Sequence, residues 1–125
     1  LQRNYAELKW FRKKACRVPQ ACWLKFRNLT ENAIAYSEGK NIYISLMANN
    51  DKECHIRFED DGCGVENKQL SRLFERFYRV DKSRSKATGG TGLGLAIVKH
   101  IVAIHSAKIE LESKVGSGTE IVVKF

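Results

Sequence analysis

Two pairs of strand-like segments, each preceded by a helical pattern, constrain the fold of this 125-residue chain most strongly. Apolar and polar residues alternate at 41–48 and again at 54–59, which predicts a hairpin closed by an Asn-Asn-Asp turn. The segments 108–113 and 119–125 alternate in the same way around a Val-Gly-Ser-Gly turn. We therefore expect a two-layer α/β sandwich, in which helices cover one face of a mixed, mostly antiparallel sheet.

Helical spacing of apolar residues predicts four helices around these strands. They cover residues 1–20, 20–36, 70–77 and 93–104, and a Val-Pro pair separates the first helix from the second. Residues 81–92 are polar, rich in glycine and without a regular period, so they predict a mobile loop between the last two helices.

The composition is that of a folded domain. Hydrophobic residues make up 43% of the chain and charged residues 29%, with 1 Pro and 9 Gly, which excludes disordered and collagen-like proteins. No uncharged apolar run approaches the length of about 18 residues that a membrane span needs, and we expect no signal peptide. The four cysteines form no Cys-x-x-Cys pair, so we expect reduced thiols and no zinc site.

Positive charge is concentrated at the N-terminal end. The formal net charge is +8, and residues 1–27 contain eight Lys or Arg against one Glu. Residues 28–125 contain 14 basic and 13 acidic residues and are almost neutral. Nucleic-acid binding would rest on the basic segment alone, so we expect no direct contact with nucleic acid. We divide the chain into a basic N-terminal segment or linker, 1–27, and a folded domain, 28–125.

One face of the predicted helix 20–36 carries an unusual polar stripe: Asn28, Glu31, Asn32, Ala35 and Tyr36. Asparagine is a poor helix former that favours caps and turns, yet two asparagines four residues apart point in the same direction here. The stripe predicts a ligand-binding face. An ordinary solvated face is the alternative.

A second candidate site lies at the end of the predicted strand 54–59. Asp60 follows that strand directly, and Gly62 and Gly64 leave room beside it for a flat ligand. A carboxylate in this position can accept a hydrogen bond from an amino group. The alternative is a plain Asp-Gly turn.

A third candidate site is the glycine-rich segment 89–94, which opens the helix 93–104. Free backbone N–H groups at a helix N-terminus favour anions, so this segment predicts a phosphate loop. It lacks the Gly-Lys-Ser/Thr of a Walker A loop, and a flexible connector is the alternative. Together, the three sites would supply an amide oxygen for Mg²⁺, an acid that reads a base and a cradle for phosphate.

Four segments in order resemble the sequence boxes of the sensor histidine kinases. Residues 28–37 resemble the N box, 60–64 the G1 box, 73–84 the F box and 90–98 the G2 box. The run Phe-Tyr-Arg-Val-Asp-Lys-Ser-Arg is similar to the PhoR-like group in particular. The wider superfamily also contains the gyrase, Hsp90 and MutL ATPases, which lack this run. The resemblance covers residues 28–125.

The resemblance implies the histidine kinase-type ATPase fold, with Mg²⁺ and ATP held between the N-box helix and a lid. It implies a catalytic domain that transfers the γ-phosphoryl group to a histidine on a separate dimerisation domain, upstream of a response regulator. His55, His100 and His105 lack the sequence context of that acceptor. The resemblance further implies a monomeric cytoplasmic domain of a membrane-anchored bacterial protein. A non-catalytic nucleotide-binding or protein-interaction module is the alternative.

The resemblance also assigns roles to individual residues. Asn32 would ligate Mg²⁺, Asn28 would lie near the phosphates and Glu31 would polarise the attacking group, so Glu31 and Asn32 are the expected catalytic residues. Tyr36 would stack on adenine, and Asp60 would accept a hydrogen bond from its amino group. The other expected ATP-binding residues are Gly62, Gly64, Arg79, Arg84, Gly90, Thr91, Gly92, Leu93, Gly94 and Thr119.

The chain departs from the family pattern in three places. Ala35 replaces a basic residue of the N box, which removes one cation near the phosphates and predicts weaker nucleotide binding. Ser106 and Ala107 follow His105 where the family has two glycines. If that turn needs a positive φ, the non-glycine residue costs about 1 kcal/mol. Residues 1–27 also differ from the usual first strand of the family.

Overall fold

A computed structural model describes residues 20–49, 53–79 and 94–125, and for residues 20, 21, 23–25, 35, 36, 48 and 49 it describes the backbone alone. The predicted helix 1–20 and loop 81–92 lie outside the described residues. The elements are α1 (Gln20–Tyr36), β1 (Ile42–Asn49), β2 (Glu53–Asp60), α2 (Asn67–Leu70), α3 (Gly94–Ile104), β3 (Lys108–Lys114) and β4 (Gly118–Lys124).

The four strands form one sheet in the order β1-β2-β4-β3, and all three pairings between them are antiparallel. Both predicted hairpins are confirmed, and β2 and β4, one from each hairpin, pair in the middle of the sheet. Asp60 lies opposite Thr119 in this central pairing, and Thr119 lies opposite Ser113 in the next one. The last residues of β2 and β3 and the first residues of β4 therefore lie side by side in one row.

The core lies between one face of the sheet and the helices α1 and α3. Alternate residues of β2 are buried, because every second side chain of a strand points to the same face. The ring of Phe26 on α1 packs edge-on against Phe58 with 5.6 Å between centroids. The fold therefore has two layers, helices and sheet, with the core between them, as predicted. It consists of Cys22, Phe26, Leu29, Cys54, Ile56, Phe58, Val98, Val102 and Val123.

Helix α1 has the predicted bounds and buries Cys22, Phe26 and Leu29 in this core. It runs without interruption through residues 27 and 28, where we divided the chain. That division stays a prediction. Because α1 contacts both the sheet and α3, its remaining face is available for the polar stripe.

The predicted helix 70–77 is wrong over most of its length. Helix α2 ends at Leu70, and the chain continues through turns in which amide groups bond to carbonyl groups three residues earlier, as from Arg72 to Gln69 and from Glu75 to Arg72. Phe77 has a φ of 65° and is 70% exposed. The apolar spacing did not produce a helix because its side chains are not fully buried, and packing supplies most of a helix's stability.

The turn after α3 does need a positive φ, because Ser106 has a φ of 55°. The Ser106 amide bonds to the Ala103 carbonyl at 3.0 Å, and the Ala107 amide bonds to the Val102 carbonyl at 3.0 Å. This is the Schellman pattern, which places its left-handed residue at Ser106 and favours glycine there.

Replacing this residue tests the strain. We expect Ser106→Gly to raise the free energy of unfolding by about 1 kcal/mol, because glycine adopts a positive φ without a steric penalty. Ser106→Ala removes the same hydroxyl and keeps the Cβ, so it should give no gain. Urea denaturation of the three proteins measures the difference. Equal stabilities of the glycine and alanine variants would contradict the explanation.

Candidate functional site

The polar stripe of α1 lies against the first residue of α3. A Cβ built on Gly94 would be 3.5 Å from Asn32 Nδ2, 3.8 Å from Asn32 Oδ1 and 3.7 Å from Asn28 Cβ. The first backbone N–H groups of a helix have no partner within that helix. The two asparagines therefore lie beside the first turn of α3, where the backbone N–H groups have no partner within the helix. Their predicted role in nucleotide binding stays a prediction.

Asp60 forms the second part of the site, at the end of β2. Its Oδ1 accepts a hydrogen bond from the Gly62 amide at 3.0 Å, and the Thr119 amide also donates to the carboxylate. Burial raises the pKa of Asp60, and the two amide bonds only partly oppose this effect. The carboxylate is therefore half-buried, held in one orientation and able to accept further hydrogen bonds.

The glycines after Asp60 hold this strand end in place. A Cβ on Gly62 would lie 2.0 Å from the Ser37 carbonyl oxygen, and a Cβ on Gly64 would lie 2.2 Å from that of Lys114. Gly64 also has a φ of 71°. These contacts press the segment after β2 between the end of α1 and the β3–β4 hairpin. In the described structure, then, Gly62 and Gly64 fix the position of Asp60.

Asp61, which the sequence analysis did not single out, anchors the same segment to the start of β1. Its Oδ1 accepts bonds from the amides of Lys40 at 2.8 Å and Asn41 at 2.9 Å, and its Oδ2 accepts one from Asn41 Nδ2 at 2.8 Å. The bonds from Asn41 lower the pKa of Asp61. The pKa values of these adjacent aspartates thus shift in opposite directions, because Asp60 is half-buried whereas Asp61 is exposed and bonded to three donors.

Glu31 is paired on the surface of α1. Arg27 Nε donates to Glu31 Oε1 at 2.7 Å, and the two side chains are 73% and 41% exposed. Exposed pairs of this kind contribute only about 0.3–0.5 kcal/mol. The carboxylate can therefore leave Arg27 at little cost.

A shallow hollow of about 280 Å³ lies at the same end of the sheet. Its lining includes Asp60, Ser113 and Thr119 together with Glu59, Glu112 and Glu120, and the pairing places the three glutamates next to one another on the face opposite the core. Three carboxylates repel a polyphosphate. We therefore place the phosphate-binding part of the candidate site away from these glutamates, on the core side of the sheet.

A comparison with protein-family models matches residues 23–125 to the family described as histidine kinase-, DNA gyrase B-, and HSP90-like ATPase. The chain belongs to this ATPase family. The match includes the stripe of α1, the Asp60 segment, α3 and both hairpins. It confirms the resemblance drawn from the four sequence boxes.

Among its relatives are sensor histidine kinases. The chain is 48% identical over 102 residues to the phosphate regulon sensor protein PhoR of Pseudomonas aeruginosa, covering 80% of this chain and 23% of that protein. It is 50% identical over 93 residues to the sensor-like histidine kinase SenX3 of Mycolicibacterium smegmatis, covering 74% and 24%. The chain therefore spans about a quarter of the length of these relatives.

Two solved structures share the fold, and one of them is named as a sensor histidine kinase. Full-length ShkA in complex with AMPPNP matches with a TM-score of 0.68 and 25% identity, over 82% of this chain and 20% of that one. The mycobacterial sensor histidine kinase MprB matches with a TM-score of 0.68 and 22% identity, over 86% and 72%. The histidine kinase-type sandwich is thereby confirmed as the fold of this ATPase domain.

The roles of the remaining predicted residues of the ATPase site are not tested by the described structure. Tyr36 lies in the last turn of α1, where the structure describes the backbone alone, and Arg79 is half-buried at the end of the described segment 53–79. The roles of these residues stay predictions. The same holds for those outside the described ranges: Arg84, Gly90, Thr91, Gly92 and Leu93.

Sequence reasoning missed Ser113, which joins Thr119 to the rest of the site. The two hydroxyl oxygens lie 2.8 Å apart, and Ser113 and Thr119 face each other across β3 and β4. The available signal was the strand register, because a polar residue at position 113 interrupts the apolar alternation of β3.

Within the described ranges, none of the helices has the length and hydropathy of a membrane span.

Proposed function

We propose that this ATPase domain binds Mg-ATP and transfers its γ-phosphoryl group to a histidine of a separate dimerisation domain. The observation that carries the proposal is the position of the Asn28–Asn32 face of α1 beside Gly94, the first residue of α3. The Asp60–Thr119 row gives the site a second, chemically different end. A nucleotide needs both surfaces, because its triphosphate binds hydrogen-bond donors and a metal ion whereas the amino group of its base binds an acceptor.

The base end is built from acceptors. Asp60 is oriented by two backbone amides and keeps lone pairs for an amino group, which suits the exocyclic amine of adenine. Thr119 stands beside it in the row. Gly62 packs closely against Ser37, which keeps the Gly62 amide in place to bind the carboxylate. In this proposal, Tyr36 stacks on the base from the last turn of α1.

The phosphate end combines backbone N–H groups with the two asparagine amides. Asn32 offers an amide oxygen, which fits Mg²⁺, because this ion binds a few protein oxygens and completes its shell with water and phosphate. Among the described residues, no group of three His, Cys, Asp or Glu side chains is placed to hold a metal ion. The donor set therefore suits a nucleotide-bound Mg²⁺ better than an all-protein cage. When bound, Mg²⁺ would neutralise charge on the phosphates.

Phosphoryl transfer needs positioning and charge neutralisation more than covalent help from the protein. Asn28 and Asn32 would orient the phosphates, while Glu31 would hold the attacking imidazole by accepting its N–H. Glu31 lies one residue before Asn32, and its pairing with Arg27 is weak enough to be exchanged for that contact. We propose Arg79 and Arg84 as further phosphate contacts.

The acceptor histidine and the signalling partners belong to the rest of the protein in this proposal. The match covers only 23% and 24% of the two relatives named above, which are a sensor protein and a sensor-like histidine kinase. We propose a membrane-anchored bacterial parent with this domain in the cytoplasm, a dimerisation domain carrying the histidine, and a downstream response regulator. The isolated domain would be a monomer without direct contact to nucleic acid.

Substituting Asn32 tests the metal and phosphate end. We expect Asn32→Ala to weaken Mg-dependent ATP binding by about tenfold or more, because it removes an oxygen ligand. Asn67→Ala, at the exposed start of α2, serves as the matched control and should bind like the unaltered chain. Calorimetric titration of ATP with and without Mg²⁺ measures both. Unchanged affinity of the Asn32 variant would contradict the assignment.

A transfer assay separates the kinase from a non-catalytic nucleotide-binding module, the alternative that Ala35 favours by removing a cation from the stripe. The chain is mixed with a dimerisation-domain fragment of a close relative and γ-labelled Mg-ATP. We expect an acid-labile, base-stable label on the fragment's histidine. Binding of ATP without any transfer, while a known kinase domain labels the same fragment, would favour the non-catalytic module.

A further inference from the structure

We propose that Ser113 is a positioning residue that fixes the Thr119 hydroxyl as a hydrogen-bond acceptor, so that the base end selects a purine with a 6-amino group over a 6-oxo purine. The inference rests on the proposed nucleotide site and names a determinant of its specificity. It concerns a residue outside the four sequence boxes.

The strand register places the residues concerned in one row. Asp60 lies opposite Thr119, and Thr119 lies opposite Ser113. Two residues earlier on β2, the corresponding row is Phe58, Ile121 and Leu111, which faces the core. Side chains two positions apart on a strand point to the same face of the sheet. The polar row therefore lies on the same face as the core, at its edge. All three side chains are half-buried there.

Ser113 has three polar neighbours and one proton. The Val65 amide donates to Ser113 Oγ at 2.8 Å, so the hydroxyl is an acceptor in that bond. Ser113 Oγ donates to the Gly118 carbonyl at 2.9 Å, which uses its only hydrogen. The third neighbour, Thr119 Oγ1 at 2.8 Å, must then be the donor in its bond to Ser113. This is the one assignment that satisfies all three contacts.

The consequence is a fixed polarity of Thr119. Its single proton points to Ser113, so only lone pairs remain for a ligand or a bridging water. The Asp60 carboxylate next to it is also an acceptor, oriented by the amides of Gly62 and Thr119. A 6-amino group can donate to this surface. A 6-oxo group brings another acceptor against it and leaves buried lone pairs unpaired, which is costly.

The test compares Mg-ATP with Mg-ITP, which carries a 6-oxo group in place of the 6-amino group, on the 125-residue chain. We expect the unaltered protein to prefer ATP. In Ser113→Ala, the Thr119 hydroxyl is free to turn and donate to the 6-oxo group, so the ITP/ATP ratio of Kd should fall about fivefold, the effect of one neutral hydrogen bond. Ser113→Thr keeps a hydroxyl and should retain the ratio.

A double-mutant cycle shows whether Ser113 acts through Thr119. Thr119→Val removes the acceptor, so it should lower the same ratio, and adding Ser113→Ala should then change it no further. A merely structural role of Ser113 would lower the melting temperature and weaken both nucleotides equally, leaving the ratio unchanged. That result would overturn the inference.

The outcomes separate this inference from the proposed function. If the unaltered chain binds neither nucleotide, the proposed function fails and this inference fails with it. If it binds both equally well, the function stands and the role of Ser113 is overturned. If Ser113→Ala does not fold, Thr119→Val alone decides, since an unchanged ratio in that variant also overturns the inference.

Discussion

The antiparallel pairing of β2 with β4 determines where the base end of the site lies. It joins the two hairpins and brings Asp60 opposite Thr119. A shift of one residue in this register would turn the whole set of side chains on one strand to the other face. Either Phe58 on β2 or Val123 on β4 would then leave the core, so the burial of apolar residues also protects the alignment of the polar row. The register that buries the apolar core therefore also aligns the polar residues of the candidate site.

Helix α1 links this row to the phosphate end because two of its faces are used. Cys22, Phe26 and Leu29 anchor it in the core, and this anchoring fixes its rotation about its own axis. The rotation then directs Asn28 and Asn32 toward Gly94. The segment after Asp60 is held against the end of the same helix by the Cys63 amide, which donates to the Ser37 carbonyl at 2.6 Å. Both ends of the site are thus attached to one rigid helix.

Sequence patterns predicted the elements that bury a regular apolar face, and they failed where burial is incomplete. The bounds of α1 and the two hairpins follow from periods of 3.6 and 2. The sequence raised a positive φ after His105 only as a condition, and the structure meets that condition at Ser106. The segment around Phe77 has helical spacing without a buried face, so it forms turns instead. Ser113 was missed because its importance depends on the bond from the Val65 amide and on the pairing of β4 with β2, both of which join residues far apart in sequence.

We propose that the asparagine face and the Asp60–Thr119 row bind the two ends of one nucleotide. Nuclear magnetic resonance of the ¹⁵N-labelled chain, titrated with Mg²⁺ and a non-hydrolysable ATP analogue, tests this most directly. We expect the amides of Asn32 and Gly94 to shift together with those of Gly62 and Thr119, with one common Kd, while adenosine alone shifts only the second pair. Shifts confined to one end, or two unrelated affinities, would contradict the account.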